Sequence, residues 1–546
     1  MAGLDVAKGK VAKRSLWVFI CLLCSCAPPA QLALAQDDVY MRAENLIRNH
    51  HWDEGLAALD PLLQRDPKNV RALNLSGLAL IGKGDVSEAE QSFRKALSTD
   101  PRFAPALKNL SIIEFNSGEY SSAEKHLLAA QKIVPDDPAV NLYLGEISFR
   151  RKNYPEAVDR LGKLNEYISS RPVPSAHLAI SYLMTGEPGK AAVILDRLKP
   201  DDVDPVTLFD VAVALDHGGL HERALSEFSD LYARFPDSYN IAFNLMLEDI
   251  AVKNFPEAVQ TGTDLIARGH DTAEVNSVLA QAYEGQSDSQ RAFEAYRKAV
   301  FLDPQDEANY VDLASFCVSQ HALQAGLQVI QVGLKTFPNS GRLVYLRGII
   351  HAIEDDYEDS EKDFNLSQTL SPSVDLGYIG LGASYLESGN SSQAIQVLRQ
   401  RLREKPNDPS LLYLLGESLI RSGASPGSPD YADAKAALEK SVSLNPNLCL
   451  PHVALGDIYL TENRPKDAVV QLEKARSIDP KEKSVYSHLA VAYKRLDQPE
   501  DAKAVLLILK TMLDQERQSA IERMKPAPVN PADQGEGRPD NPDLRH

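Results

Sequence analysis

The chain has 546 residues, of which 44% are hydrophobic and 25% charged, with a formal net charge of −18. That acidity excludes nucleic acid and anionic membrane surfaces as partners, because both demand a basic face, and it favours basic or neutral ones. Five cysteines, three of them at positions 21, 24 and 26, exclude a disulfide framework.

Residues 1–35 read as a signal peptide. Lys8, Lys10, Lys13 and Arg14 form a positive region before an apolar run from Leu16 to Cys26, and Ala33-Leu34-Ala35 fits the small-x-small cleavage pattern. The apolar run is too short for a membrane span, which needs about 20 residues. An exported protein is therefore expected, periplasmic, envelope-associated or secreted. Leu23-Cys24-Ser25-Cys26 offers a second processing route, in which cleavage before Cys26 leaves a lipidated N-terminus. Lys8, Lys10, Lys13 and Arg14 against Asp5 put +3 on the first 35 residues, so the rest of the chain carries −21. It keeps two cysteines, Cys317 and Cys449, four periods apart and not expected to meet.

From Gln36 onwards one period of 34 residues governs the chain. With Val70 as position 1, position 20 is small in every window, from Gly55 and Ala89 to Ala468 and Ala502. Position 8 is small too, from Ala43 and Gly77 to Gly456 and Ala490, and only Met246 departs from it. Pro closes ten of the fourteen windows at position 32, as Pro101 and Pro135 do. Apolar residues recur at spacings of three and four over positions 1–14 and 18–31, which predicts two helices per window. Small residues at 8 and 20 let their axes approach, and a large one at 24, such as Phe93, Leu161 or Phe364, fills the groove between them. Gly at position 15, as in Gly84 and Gly118, suits the end of the first helix, and the closing Pro stops the second. Between Gly423 and Ala434 six extra residues, near 424–430, lengthen a turn.

This pattern resembles the tetratricopeptide repeat (TPR), an all-α family, over residues 36 to about 516. The resemblance implies a helix-turn-helix solenoid of about fourteen repeats, wound as a right-handed superhelix, whose first helices line a concave groove that binds protein partners. Ser169, Val203 and His270 stand where Pro is usual, so altered stacking or flexure is expected after the fourth, fifth and seventh windows. The last helix is expected to run on to Met524 as a polar cap, closing a solenoid domain over residues 36–524. Residues 525–546, rich in Pro and poor in apolar side chains, are expected to be disordered.

The windows leave no room for an enzyme domain, and no phosphate-binding loop, nucleophile elbow or zinc-protease motif is present. No catalytic residue, metal or cofactor is therefore expected. His217 and His221 have helical ligand spacing, but Gly218-Gly219 breaks the face between them, so both read as polar turn residues. Asp355-Asp356-Tyr357-Glu358-Asp359 lacks the spaced loop of a calcium site and reads as a solvated acidic turn.

In relatives the groove is lined by positions 2, 5, 9, 12 and 13 of the first helix. Relatives that grip a peptide backbone carry an Asn ladder at position 6, where this chain has only Asn109 and Asn244. Arg71, Asn74 and Lys108 are a faint echo of the clamp other relatives use for a terminal carboxylate. The groove columns are instead apolar. Windows three to seven offer Ile112, Phe115, Phe149, Ile180, Leu183, Phe209, Val213, Phe243 and Leu247; windows ten to thirteen offer Tyr345, Ile349, Ile379, Leu386, Tyr413, Ile420 and Leu460. Two stripes receiving an amphipathic helix or apolar segment of a partner protein are expected, competing with burial of the same residues as core. The expected role is a binding scaffold, or alternatively an envelope-assembly or polysaccharide-export component, which the second processing route would make a lipoprotein anchored at Cys26. The oligomeric state is not legible.

Overall fold

The computed structural model describes residues 32–524, in which there are twenty-nine α-helices, one short 3-10 turn and no strand. Most of the expected signal segment, Cys26 included, and residues 525–546, expected to be disordered, lie outside the described residues. Ala33-Leu34-Ala35 falls in the first turn of the helix Leu32–Arg48.

Helices pair in chain order, as in Val70–Lys83 with Val86–Thr99. Several first helices begin where a short polar side chain takes a free backbone N–H. Asn69 accepts from Ala72, Asp137 from Ala139 and Val140, and Asp408 from Leu411. They end alike whatever the residue. Position 15 is left-handed in Gly84, Gly118, Gly186, Gly219, Gly389 and Gly423, but equally in His50, Lys152, Lys253, Ser287, His321, Asp355, Asn463 and Asp497. The closing bonds are the same in both groups: Asp85 N–H reaches Leu80 O at 2.9 Å, and Asn153 N–H reaches Ser148 O at 2.9 Å. Leaving the right-handed region costs a non-glycine residue about 1 kcal/mol, and the packing of the hairpin outweighs it.

The small columns are buried contact points. Ala89, Ala123, Ala157 and Ala224 at position 20 have no exposed surface. A Cβ on Gly77 would stand 2.5 Å from the Phe93 ring, on Gly145 2.7 Å from Leu161, and on Gly348 2.8 Å from Phe364. Position 8 is thus the notch into which position 24 of the same hairpin packs. Met246, the departure from the rule, is fully buried, and its Cε lies 2.7 Å from where a Cβ on Gly262 would be. Gly262 is position 24 of that window, so notch and knob have exchanged places.

The junctions that lack proline divide into two kinds. After the fourth window the second helix stops early, Tyr154–Gly162, and a separate turn Asn165–Ile168 carries the fully buried Ile168. After the fifth, Pro188–Leu195 is only 8 residues long and a 3-10 turn Pro200–Asp202 leads to the buried Val203. After the seventh, by contrast, Phe255–Ala267 keeps 13 residues, and His270 N–H closes it on Leu265 O. The six extra residues near 424–430 are partly absorbed by helix: Pro429–Leu444 has 16 residues, starting three before the frame requires.

Contacts gather into two compact units, one up to Ala292 and one from Phe293. In the first, Asp249 on the helix Tyr239–Ala251 is 3% exposed, and burial lifts its carboxyl to about 6 although Asn254 Nδ2 donates to it at 2.8 Å. The folded chain therefore holds this proton more tightly than the unfolded chain, where Asp titrates near ~3.9. The stability it confers is complete below about pH 4 and is lost as pH rises through about 6. Asp249→Asn is expected to gain on the order of 2 kcal/mol near pH ~8 and nothing near pH ~4, read from thermal melts at the two pH values.

Candidate partner-binding surface

In the first unit the face concerned lies on five successive first helices: Ala104–Asn116, Pro138–Arg150, Pro172–Met184, Pro205–His217 and Tyr239–Ala251. Ile112, Phe115, Phe149, Phe209, Val213 and Phe243 are half-buried there, and Leu247 is 38% exposed. Their rings are braced from the side. Phe115 meets the edges of Tyr120 and Tyr143 at 5.4 and 5.0 Å, with the Arg150 guanidinium 5.7 Å from its centroid. Phe149 stacks on His177 at 4.0 Å, Phe209 meets Phe228 edge-on at 5.6 Å, and Phe243 stacks on Tyr239 at 5.6 Å. Such pairs hold the rings in one orientation, so each offers a fixed apolar surface at little entropic cost.

Ile180 and Leu183 do not belong to this surface. Each is 4% exposed and sits in the core cluster with Val211, Ala212 and Leu215. Leu183 turns towards the next hairpin because Gly218 leaves room: a Cβ there would be 3.1 Å from Leu183 Cδ2. In the second unit Leu386 is likewise core, 6% exposed and packed with Leu398 and Leu411, and Leu460 is core as well. Tyr345, Ile349, Ile379, Tyr413 and Ile420 are half-buried, Tyr345 being tilted on Phe364 at 5.6 Å.

The clamp-like basic residues are engaged within the chain. Arg71 pairs with Asp37 at 3.2 Å and Glu44 at 3.1 Å and lies 4.3 Å over the Tyr40 ring. Asn74 accepts from Asn109 Nδ2 at 2.9 Å, and Lys108 pairs with Asp137 at 2.7 Å. A terminal carboxylate would have to displace each of these bonds. Asn244 donates to its own helix, to Asn240 O. The acidic turn is used locally too: Asp356 caps its helix through Asp359 N–H, and Lys362 pairs with Glu358 and Asp359. Cys317 and Cys449 are free thiols, and burial pushes both up, Cys449 to about 11.

A polar feature beside the aromatic face was not legible in the columns. His177 Nδ1 lies 2.7 Å from Glu146 Oε2 under the Phe149 ring, both side chains being buried, and Glu146 Oε1 has no protein partner. The residues are 31 apart, close to one period, and that spacing was the available signal that they stand on neighbouring first helices.

Among the described residues no helix is long and apolar enough to cross a membrane. Family models for the tetratricopeptide repeat match residues 40–105, 250–307 and 379–440, and a second such model matches 80–147. The chain is 22% identical over 277 residues to the TPR repeat-containing protein YpiA of Bacillus subtilis, covering 50% of this chain and 66% of that protein. It is 24% identical over 501 residues to Superkiller complex protein 3 of Homo sapiens, covering 84% of this chain and 30% of that one. It thus spans less than two thirds of the length of either. Among solved structures, yeast Tom70 aligns at 16% identity with a TM-score of 0.40, over 89% of this chain and 97% of that one.

Proposed function

The chain belongs to the tetratricopeptide-repeat family, and from that premise we propose that it is an exported scaffold that holds a protein partner along a concave groove formed by its first helices. Binding, not turnover, is its work. Members of the family bind protein partners, and the name of one relative, Superkiller complex protein 3, is that of a complex component. The observation that carries the reading is the run of braced, half-buried rings Phe115, Phe149, Phe209 and Phe243, ending at the exposed Leu247. A partner's amphipathic helix or apolar segment would cover this surface in the manner of a helix in a groove. The reading of export rests on the residues Lys8 to Ala35.

Phe243→Asp combined with Leu247→Asp is the test. Envelope proteins captured by the unaltered chain should be lost from the double variant, with a drop in affinity of about 30-fold or more if the two positions are hot spots. The variant should keep a cooperative helical melt, lowered by no more than about 2–4 °C for the loss of the half-buried Phe243 ring. Unfolding of the variant would make the stripe core and end the proposal. The mass of the processed N-terminus decides the route of export: a chain starting at Gln36 supports ordinary cleavage, and a diacylated chain starting at Cys26 supports an anchored envelope component.

A further inference from the structure

At the turn of the hairpin Pro205–Arg234 three metal-capable side chains come together. Asp216 is next to last in the helix Pro205–His217, His221 opens the helix His221–Arg234, and Glu248 comes from the following first helix, Tyr239–Ala251. Their ligand atoms all lie within 4.8 Å of one another. Glu248 is buried, while Asp216 and His221 are half-exposed. His217, the other histidine of the pair in the sequence, is not part of the group and faces solvent.

Among the described residues this cluster differs from the other histidine–carboxylate contacts in having one ring nitrogen face two carboxylates. His126 to Glu114 and His177 to Glu146 are both 2.7 Å, the length of a charge-assisted hydrogen bond, and each imidazole nitrogen serves one carboxylate. At His221 one nitrogen, Nδ1, faces two carboxylates, Asp216 Oδ1 at 3.3 Å and Glu248 Oε2 at 3.1 Å. That nitrogen has one proton to give, so the two carboxylates can at most share it in a long three-centre bond. Atoms bound to a common zinc ion at about 2.0–2.1 Å stand roughly 2.9–3.4 Å apart for angles between octahedral and tetrahedral, and both distances from His221 Nδ1 fall in that range. Charge points the same way. The charged neighbours acting on Glu248 are Asp216 and His221, so two carboxylates share one imidazole.

We propose that Asp216, His221 and Glu248 bind one divalent first-row transition-metal ion, zinc by its nitrogen-and-carboxylate donor set. The ion clips the turn of one hairpin to the first helix of the next. A cavity of about 340 Å³ lined by Gly219, Leu220, His221, Arg223 and Ala251 opens beside it and gives room for a water as fourth ligand.

The experiment is calorimetric titration of the full-length, untagged, chelator-treated protein with Zn²⁺, paired with thermal melts. One equivalent should bind with micromolar affinity or better and raise the melting temperature. Glu248→Gln and His221→Ala should each weaken binding by about tenfold or more, and His217→Ala should leave it unchanged. Glu248→Gln removes a buried charge while keeping its shape, so the fold survives that test. Three results would each overturn the proposal: no binding at about 100 µM Zn²⁺, binding that Glu248→Gln leaves intact, or binding lost with His217 instead.

Discussion

Gly262→Leu is expected to cost the hairpin Tyr239–Ala267 about 3 kcal/mol or more, and Met246→Gly in the same chain to recover most of that loss. Every other window places its small residue at position 8 of the first helix and its large one at position 24 of the second. Here the side chains are exchanged. Met246 is fully buried, and a Cβ on Gly262 would fall 2.7 Å from Met246 Cε and 3.1 Å from Leu279 Cδ1. A leucine at 262 has nowhere to go while Met246 fills the space. Met246→Gly alone leaves a void in place of a buried side chain, costing about 2–5 kcal/mol, with about 1 kcal/mol more for glycine inside a helix. The double variant restores the order of the other windows, so the two losses should fall short of additivity by about 2–3 kcal/mol. A long array unfolds in parts, so the appropriate readout is hydrogen-exchange protection of Tyr239–Ala251 and Phe255–Ala267 in the full chain. Additive losses would refute the exchange of knob and notch.

Arg401→Met should destabilise the second unit by about 3–5 kcal/mol, against almost nothing for a surface arginine such as Arg399. Arg401 grips Asp375 through two nitrogens, Nε at 2.7 Å and Nη2 at 2.6 Å, with side-chain exposures of 10% and 5%. It also donates to Pro372 O at 3.3 Å and to Glu404, and lies 5.0 Å over the Tyr378 ring. Lys405 adds a second cation to Asp375 at 2.8 Å. These bonds tie the loop Ser371–Asp375, which starts one window, to the second helix Ser391–Glu404. Removing Arg401 leaves a buried carboxylate with Lys405 alone, whereas Arg399 pairs with Asp430 and Asp433 in solvent. Arg401→Lys should recover only part of the loss, since one ammonium cannot make the two-pronged contact. Chemical denaturation of Arg401→Met, Arg401→Lys and Arg399→Met, followed by helical circular dichroism, separates these outcomes. A midpoint for Arg401→Lys equal to that of the unaltered chain would show that charge alone mattered.

Much of this molecule was readable as text. A 34-residue period with small residues at 8 and 20 and proline at 32 can be satisfied by few folds, because small columns force two helices close and proline ends the second. Small position-8 residues imply notches, and Gly77, Gly145 and Gly348 do admit the position-24 side chains of Phe93, Leu161 and Phe364. The candidate surface was only partly readable. Helical spacing says which residues share a face but not how far a neighbouring hairpin closes over them, so Leu247 stays exposed and Phe243 half-buried while Ile180, Leu183, Leu386 and Leu460 are covered.

By itself the sequence determined the all-helical hairpin array and the columns along which its helices touch, since those follow from periodicity, side-chain size and proline stops, all local properties of the chain. Only the tertiary structure decided the rest. It imposed the left-handed turn on Lys152 and Asn463 as firmly as on Gly84, gave Met246 a glycine partner sixteen residues on, and brought Asp216, His221 and Glu248 to a common point. Each of these depends on how one hairpin's energy is shared with the next, and a contact between hairpins outweighs the preference of any one residue.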